Sequence, residues 1–228
     1  GIKAISLEQA VAAPACSMRL VQAGAEVVKI ERPEGDFARG YDTAVAGNSS
    51  YFVWLNAGKK SVVLDLRRSD QVALLSRLIV QSDIFIQNLK PGALAKLGFE
   101  LDALHAEHPC LISMSISGFA EDGPGRHRKA YDLLMQAESG LSAITGSHHA
   151  AGRVGVSLVD IATGQFAYEA ILGALIQRGQ NGRGAKLSVS LFDAVAQWLA
   201  VPYLLDRYGE AAPERLGLAH PGILSLIH

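Results

Sequence analysis

The chain has 228 residues, of which 49% are hydrophobic and 19% are charged, and its formal net charge is −1. This composition excludes an intrinsically disordered chain and suits one domain, or a domain with an extension. No excess of positive charge favours nucleic acid, and no apolar run reaches the roughly 18 residues of a membrane span, so we expect a cytoplasmic protein that binds neither nucleic acid nor membrane.

Strand and helix patterns alternate from the start of the chain. Strands are predicted where apolar and β-branched residues run together, over residues 2–6, 26–31, 61–66, 83–87, 111–117 and 185–190. Helices are predicted where apolar residues recur at helical spacing, over residues 14–22, 69–79, 132–142, 160–178 and 191–208. This alternation, with strands that are apolar throughout, predicts an α/β fold: a Rossmann-like, mostly parallel sheet with helices on both faces.

Polar and basic residues stand where predicted strands end. Arg32 follows one strand, Asn88 follows another, and a loop that includes Lys129 comes after the strand that ends at Ser117. Ligands of parallel α/β sheets bind beyond the carboxyl ends of the strands. We therefore expect these loops to form a binding site.

Asp160 stands where an apolar stretch turns into a helix of small residues. A carboxylate near the amino end of a helix is favoured in its ionised form, and the small residues after it leave room for a ligand to approach. The alternative is that Asp160 is only the N-cap of the helix, preceded by a strand over residues 156–159. Local preferences alone favour the cap.

Two other acidic residues precede or lie within the helix predicted over residues 132–142. Asp132 comes directly before an apolar run and is predicted to cap that helix, with pocket shaping as a lesser alternative. Glu138 lies among small and apolar residues and is a candidate to line a site.

Cysteine and histidine residues point to no further chemistry. Cys16 and Cys110 lie in apolar segments and are predicted to be buried, reduced thiols. His105 and His108 share a helical face without a set of acidic or Cys residues beside them, which indicates a solvated face. The sequence therefore predicts no metal site.

Several segments in succession resemble those of the family III CoA-transferases, the CaiB/BaiF group. The family includes formyl-CoA transferase, succinyl-CoA-dependent dicarboxylate CoA-transferases and the α-methylacyl-CoA racemases. The matching segments are KIERP with a following GD, NAGKKSVVLDL, QNLKPG, the segment SISGF, GVSLVDIATG and GQNGRG. Each match alone would be weak, but their common order along most of the chain makes the resemblance specific.

The resemblance implies a CoA-transferase that moves CoA from an acyl-CoA donor to a carboxylic acid acceptor, without a metal. Asp160 matches the catalytic nucleophile of the family, which carries a covalent intermediate. The residues that match CoA-binding segments of the family are Arg32, Lys60, Leu64, Asn88, Leu89, Lys96 and Lys129. The segment around Asp160 looks closer to transferases of small dicarboxylic or branched acids than to formyl-CoA transferase.

Two alternatives remain. The racemase branch has a His before the Asp of the helix-opening pair, whereas this chain has Tyr131, a poor base near neutral pH because the pKa of Tyr is ordinarily about 10. This difference favours transfer over racemisation. Family members are also nearly twice this length, so the chain resembles a truncated member, and an inactive fragment or an assembly subunit is the third hypothesis.

The resemblance also predicts domains and assembly. Residues 1–190 would form the Rossmann-like catalytic domain, and residues 191–228 would lead towards a linker and a small domain absent from this chain. Family members are interlocked homodimers. The helix over residues 191–208 carries more apolar surface than an exposed terminal helix should, so we expect it to be buried against another chain or against further sequence.

Overall fold

A computed structural model describes residues 1–220 and confirms the α/β fold. The elements follow in the order β1 (Lys3–Leu7), α1 (Ala12–Gln22), β2 (Glu26–Glu31), a 3-10 turn (Phe37–Gly40), α2 (Ser50–Asn56), β3 (Lys60–Val63), α3 (Ser69–Val80), β4 (Ile84–Gln87), α4 (Ala93–Lys96), α5 (Leu101–Glu107), β5 (Ile112–Ser117), α6 (Asp132–Glu138), α7 (Leu141–Ile144), β6 (Gly146–Ser147), β7 (Ala150–Ala151), α8 (Leu158–Asn181), β8 (Lys186–Ser190), α9 (Leu191–Trp198) and α10 (Ala200–Tyr208).

Six of the strands form one parallel sheet in the order β3-β2-β1-β4-β5-β8. The chain starts at the middle of the sheet, builds outward through β2 and β3, and then crosses back to β4 on the other side of β1. Because the direction of building reverses there, loops that leave β1 and β4 diverge and open a crevice at the carboxyl ends of the strands. The remaining two strands form a small hairpin.

Alternate residues of the central strands β1, β2 and β4 face two separate cores. Ile84 and Ile86 of β4 pack with α1, α8 and α9, whereas Phe85 between them packs with α3 and the segment of α4 and α5. Side chains of a strand point alternately to the two faces, so a strand that is apolar at every position is buried on both. This explains why these strands read as continuous apolar runs.

Helix α8 is the main helix of the first core. Its composition and length would suit a membrane span, but Ala162, Ala167, Ile171 and Ala174 form a buried face against α1 and the sheet, as in a core helix. Gly164 lies on this face. A methyl group at Gly164 would lie 2.6 Å from Cβ of Ala15, so α1 and α8 approach each other closely.

Several boundaries differ from the predicted ones. The helix predicted over residues 132–142 is interrupted at Gly140, whose φ of +87° ends α6 and starts α7. The helix predicted over residues 191–208 breaks at Leu199 into α9 and α10. Helix α2 was not predicted. Cys16 is buried as predicted, but Cys110 is exposed, because it lies in the turn before β5 rather than in the strand.

The segment predicted to start a second region at residue 191 is only partly described, because residues 221–228 lie outside the described residues. Its first helix, α9, places Leu191, Val195 and Leu199 in the core of the sheet. In contrast, α10 has no buried residue. The division of the chain at residue 190 stays a prediction.

Candidate functional site

Four adjacent strands end side by side at the crevice. Glu8 directly follows β1, Arg32 follows β2, Leu64 follows β3 and Asn88 follows β4. Beyond the ends of these strands lies a cleft of about 340 Å³. The loops at this edge therefore form a concave surface at the carboxyl ends of the strands, where the sequence predicted a binding site.

The cleft is lined by apolar side chains and by charged groups of both signs, the acidic Glu8, Glu31, Glu34, Asp36 and Asp65 and the basic Arg32 and Arg67. Of the predicted CoA-binding residues, Arg32, Leu64 and Leu89 line it. Asn88 is beside the cleft and binds the backbone of Gln9, which accepts from Asn88 Nδ2 at 2.8 Å and donates to Asn88 Oδ1 at 3.0 Å. Asn88 therefore fixes the turn after β1.

Arg67 also lines the cleft and was missed by the sequence analysis. Its guanidinium forms two hydrogen bonds to Asp65, of 2.7 and 3.0 Å. Arg67 follows β3 as Arg32 follows β2, and this position could have indicated from the sequence that Arg67 lies at the same edge of the sheet. Because Asp65 neutralises it, Arg67 adds little net positive charge.

The other predicted cations differ in whether they already have a counterion. Within residues 1–220, the side chains of Lys96 and Lys129 are exposed without a hydrogen-bond or ion-pair partner, and Arg32 donates only to the carbonyl of Gly35 at 2.9 Å. Lys60 instead pairs with Glu26 at 2.9 Å. Glu26 and Lys60 begin β2 and β3, so this pair lies at the amino edge of the sheet, away from the cleft.

Asp160 is the third residue of α8, and Ser157 rather than Asp160 is the N-cap. The backbone before it is not a strand, so the predicted strand over residues 156–159 is wrong. The capping interaction comes from Asp132, whose Oδ1 accepts from the N–H groups of Val159 at 2.7 Å and Asp160 at 3.3 Å. Asp132 thus caps α8 and not, as predicted, its own helix.

The carboxyl group of Asp160 is partly buried and has no hydrogen-bond partner in the described part of the chain. Burial, with a smaller contribution from the nearby carboxylate of Asp132, raises the pKa of Asp160 to about 7. This differs from the sequence-based expectation of a readily ionised acid, because desolvation outweighs the favourable helix end. The group is a free carboxyl that can change protonation near neutral pH.

Two tyrosine side chains that the sequence analysis missed border Asp160. Tyr51 Oη lies 2.8 Å from Oγ of Ser157, the N-cap of α8, and its ring packs edge-on against Tyr41 at 5.8 Å. Burial, followed by the carboxylates of Asp160 and Asp36, raises the pKa of Tyr41 to about 12. Tyr41 therefore lies close to both acids. No local pattern indicated this, because α2 reaches α8 only in the folded chain.

A buried ionic network includes two residues that line the cleft, Glu8 and Asp36. Glu8 accepts from Lys59 at 2.7 Å, and Lys29 lies 3.6 Å from Glu8 and 2.6 Å from Asp36. Burial opposes ionisation of Glu8, but the two lysines outweigh it and lower the pKa of that carboxyl. Such a network is stable only while every charge keeps its partner.

The network continues towards solvent through Glu31. Its carboxylate accepts two hydrogen bonds from Arg39 and one from Ser61. Burial opposes its ionisation, but these bonds outweigh that effect and lower the pKa of Glu31 to about 2.

The small residues after Asp160 serve packing rather than ligand access. A methyl group at Gly164 would lie 2.7 Å from the carbonyl oxygen of Ala12 and 3.0 Å from the amide nitrogen of Cys16. The space beside Gly164 is therefore filled by the backbone of α1. The expectation that this space admits a ligand is wrong at Gly164.

Other candidates from the sequence lie apart from Asp160. Glu138 pairs with Arg128 and is exposed. His105 lies 2.9 Å from Oγ of Ser113 and is partly buried, so the predicted solvated face is wrong for His105. Within residues 1–220, His, Cys, Asp and Glu side chains form no group of three that could hold a metal ion.

Comparisons with known proteins point to one family. The family model described as CoA-transferase family III matches residues 1–226. A succinyl-CoA:glutarate CoA-transferase of Mus musculus is 35% identical over 98% of the chain, and an acetyl-CoA:oxalate CoA-transferase of Acetobacter aceti is 36% identical over 97%. The crystal structure of a CaiB/BaiF family protein from Brucella suis superposes with a TM-score of 0.91 at 35% identity, over 98% of the chain and 61% of that protein.

The chain spans about half the length of the curated relatives it matches. It covers 52% of the mouse enzyme and 58% of the Acetobacter enzyme.

Proposed function

The chain belongs to CoA-transferase family III, and from this premise we propose that it transfers CoA from an acyl-CoA donor to a carboxylic acid through a covalent intermediate on Asp160. The observation that carries the proposal is the carboxyl group of Asp160. It is partly buried in the first turn of α8, has no hydrogen-bond partner within residues 1–220, and is not among the residues that line the cleft. A nucleophile needs this freedom, whereas a structural carboxylate would be bonded.

The chemistry takes two symmetrical halves. The Asp160 carboxylate attacks the thioester carbonyl of the donor, the C–S bond breaks, and a mixed anhydride and CoA thiolate result. The thiolate then attacks the aspartyl carbonyl, which releases the donor acid and leaves an aspartyl-CoA thioester. The acceptor carboxylate repeats both steps in reverse, so Asp160 is regenerated and no net proton is consumed.

The protonation of Asp160 sets when the reaction can begin. With a pKa of about 7, a substantial fraction of Asp160 is protonated at neutral pH and cannot attack. Desolvation of the carboxylate also makes it a better nucleophile once ionised, because water no longer stabilises its charge. We therefore expect the first half-reaction to accelerate as the pH rises through about 7.

CoA would place its nucleotide at the cleft and its thioester towards Asp160. Leu64 and Leu89 offer an apolar surface there, and Arg32, Lys96 and Lys129 are exposed cations without a carboxylate partner in the part of the chain described. Unpaired cations suit phosphates because no internal ion pair must break first. Asn88 would act on CoA binding through the turn after β1, whereas Lys60 pairs with Glu26 at the amino edge of the sheet and lies away from the cleft.

The acceptor that we propose is a small dicarboxylic acid. The relatives named for glutarate and for oxalate both accept dicarboxylic acids, and each is about as similar to this chain as the other. Racemisation is the weaker alternative, because Tyr131 occupies the position at which that branch needs a base, and its side chain is exposed.

We propose that the protein acts in the cytoplasm as a homodimer. Helix α10 exposes several large apolar side chains, including Val201, Tyr203, Leu204 and Tyr208, each more than half exposed. That surface is apolar enough to be covered by a second copy or by adjoining sequence.

Covalent labelling tests the function. The intact protein is incubated with succinyl-CoA, quenched with hydroxylamine, and its peptides are analysed by mass spectrometry. We expect the hydroxamate at Asp160 and no adduct in Asp160→Asn, with Asp193→Asn as a control that keeps the label. An unlabelled Asp160 in a protein that turns over succinyl-CoA would refute the proposed nucleophile.

A further inference from the structure

Asp36 joins three separate segments through one buried side chain. Its Oδ2 accepts from Lys29 of β2 at 2.6 Å, and its Oδ1 accepts from the backbone N–H groups of Ala38 at 2.9 Å and Ala10 at 3.1 Å. Its own N–H donates to Glu31 at 3.0 Å. Because a buried carboxylate with both oxygens bonded cannot move without breaking several bonds, these segments are held as a unit.

The bond to Ala10 is notable because of the backbone there. Ala10 has a φ of +65°, and within residues 1–220 only Ala46 is another non-glycine residue with positive φ. This conformation brings the Ala Cβ close to the backbone and is unfavourable, so it persists only where surrounding bonds hold it. Asp36 accepts a hydrogen bond from the N–H group of Ala10, and Asn88 accepts one from the N–H group of the preceding Gln9.

The turn at Gln9 and Ala10, called here the Ala10 turn, leads directly into α1. Val11 is the N-cap of α1, and its side chain forms no capping hydrogen bond. One turn further on, Ala12 and Ala15 of α1 meet α8 at Gly164 with no room for a methyl group. Gly164 lies one helical turn after Asp160. Any displacement of the Ala10 turn is therefore transmitted through tight backbone packing to the helix that carries Asp160.

We propose that Asp36 is a positioning residue for CoA transfer: by holding the strained Ala10 turn, it fixes α1 and, through α1, the orientation of Asp160. Asp36 also lines the cleft, so the same residue aligns the nucleotide cleft with the nucleophile. This inference rests on the proposed function, because the reaction of Asp160 is its readout. It assigns Asp36 no contact with the reacting atoms.

The test separates positioning from stability by means of Ala10. Asp36→Ala should slow the labelling of Asp160 by succinyl-CoA at saturation by about tenfold to a hundredfold, since displacement of about 1 Å has effects of that size. It should also lower the melting temperature. Adding Ala10→Gly, which removes the strain, should recover part of the melting temperature but not the labelling rate, because the turn is then relaxed but unheld.

Ala46→Gly is the matched control. It makes the same backbone change at the other positive-φ alanine, which is exposed and makes no contact with Asp36. When Ala46→Gly is added to Asp36→Ala, the melting temperature should change by the same amount as when Ala46→Gly is added to the wild type. Asp36→Asn keeps an acceptor oxygen for the two amides but removes the counterion of buried Lys29, so it should lower the melting temperature. Its labelling should stay within about fivefold of the wild type, because the hydrogen bonds to the two amides remain.

Each outcome supports or overturns the positioning role of Asp36. Recovery of the labelling rate together with the melting temperature would show that Asp36 acts only through stability and would overturn the inference. Labelling of Asp36→Ala at the wild-type rate would do the same while leaving the proposed function intact. If the wild type itself is not labelled, the proposed function fails and the inference with it. Should Asp36→Ala not fold, Asp36→Ser, too short to reach both amides, takes its place with the same expectations.

Discussion

Replacing Gly164 with Ala should destabilise the protein, although alanine is the better helix former. A methyl group there would lie 2.6 Å from Cβ of Ala15 and 2.7 Å from the carbonyl oxygen of Ala12, so α1 and α8 must separate by roughly 1 Å to reach ordinary contact distances near 3.5 to 4 Å. Overpacking of this kind costs about 1–3 kcal/mol, and the upper end applies because one opposing atom belongs to the backbone. Helix propensity offsets about 1 kcal/mol.

Gly173 provides a matched control on the same helix. No atom lies within 4 Å of a methyl group built at Gly173, so Gly173→Ala should stabilise the protein by about 0.5–1 kcal/mol through helix propensity alone. With a net loss of about 2 kcal/mol for Gly164→Ala, the two variants should differ by about 3 kcal/mol and have opposite signs.

Urea unfolding at constant pH measures both variants. We expect the midpoint to fall for Gly164→Ala and to rise for Gly173→Ala, with the slope unchanged in each, since neither variant alters the surface exposed on unfolding. Gly164→Ala should also slow the labelling of Asp160, one turn away. A Gly164→Ala protein as stable as the wild type would show that the close packing of α1 on α8 is misjudged.

Further outcomes follow from the charges at the site and from the apolar surface of α10. Burial raises the pKa of Asp160 from 3.8 to about 7, so the folded state binds its proton more tightly than the unfolded chain, and stability is lost as the pH rises between these values. At pH 8, Asp160→Asn should therefore have a free energy of unfolding in urea about 2 kcal/mol higher than that of the wild type. A pKa shift of about 3 units allows roughly 4 kcal/mol, and about half of it is expected because the group is partly exposed. Equal stability at pH 8 would contradict the raised pKa. The labelling rate of the wild type should rise with pH, with a midpoint near pH 7. Asp132→Asn keeps the capping oxygen but removes the charge, so it should move that midpoint to lower pH. An unchanged midpoint would mean that Asp132 has no electrostatic influence on Asp160. Arg32→Ala combined with Lys129→Ala should weaken CoA binding in calorimetry more at low than at high salt, and unchanged affinity at low salt would place the phosphates elsewhere. Light scattering of the intact protein should give a dimer, and a stable monomer that transfers CoA would contradict the proposed assembly.

The sequence determined the fold class and two of the strand ends that border the cleft. The central strand β4 is buried at every position and mostly apolar, and the ends of such strands could be placed from local pattern alone. Arg32 and Asn88 were therefore placed correctly at strand ends, whereas Leu64, predicted within a strand over residues 61–66, follows the end of β3. Asp160 was singled out by its place at a helix start and by a family motif, and its role as the nucleophile stays a prediction.

The roles of the charged side chains were decided only by tertiary structure. Asp132 caps a helix that begins more than twenty residues after it, although the sequence predicted that it caps its own helix. Lys60 pairs with Glu26 on a neighbouring strand, although the resemblance implied that it binds CoA. A charge or a capping oxygen is satisfied by whichever partner the fold brings near, and local sequence carries no information on that partner.

The same reason explains Gly164, Ala10 and Asp36. Small residues in a helix look alike whether they face a ligand or another helix, and only the crossing of α1 over α8 shows that Gly164 is a packing residue. Strain at Ala10 has no signature in the sequence, since alanine ordinarily avoids positive φ. Periodicity thus determines which residues are buried, whereas the contacts between distant segments determine how the buried acid at the end of α8 is held and how readily it ionises.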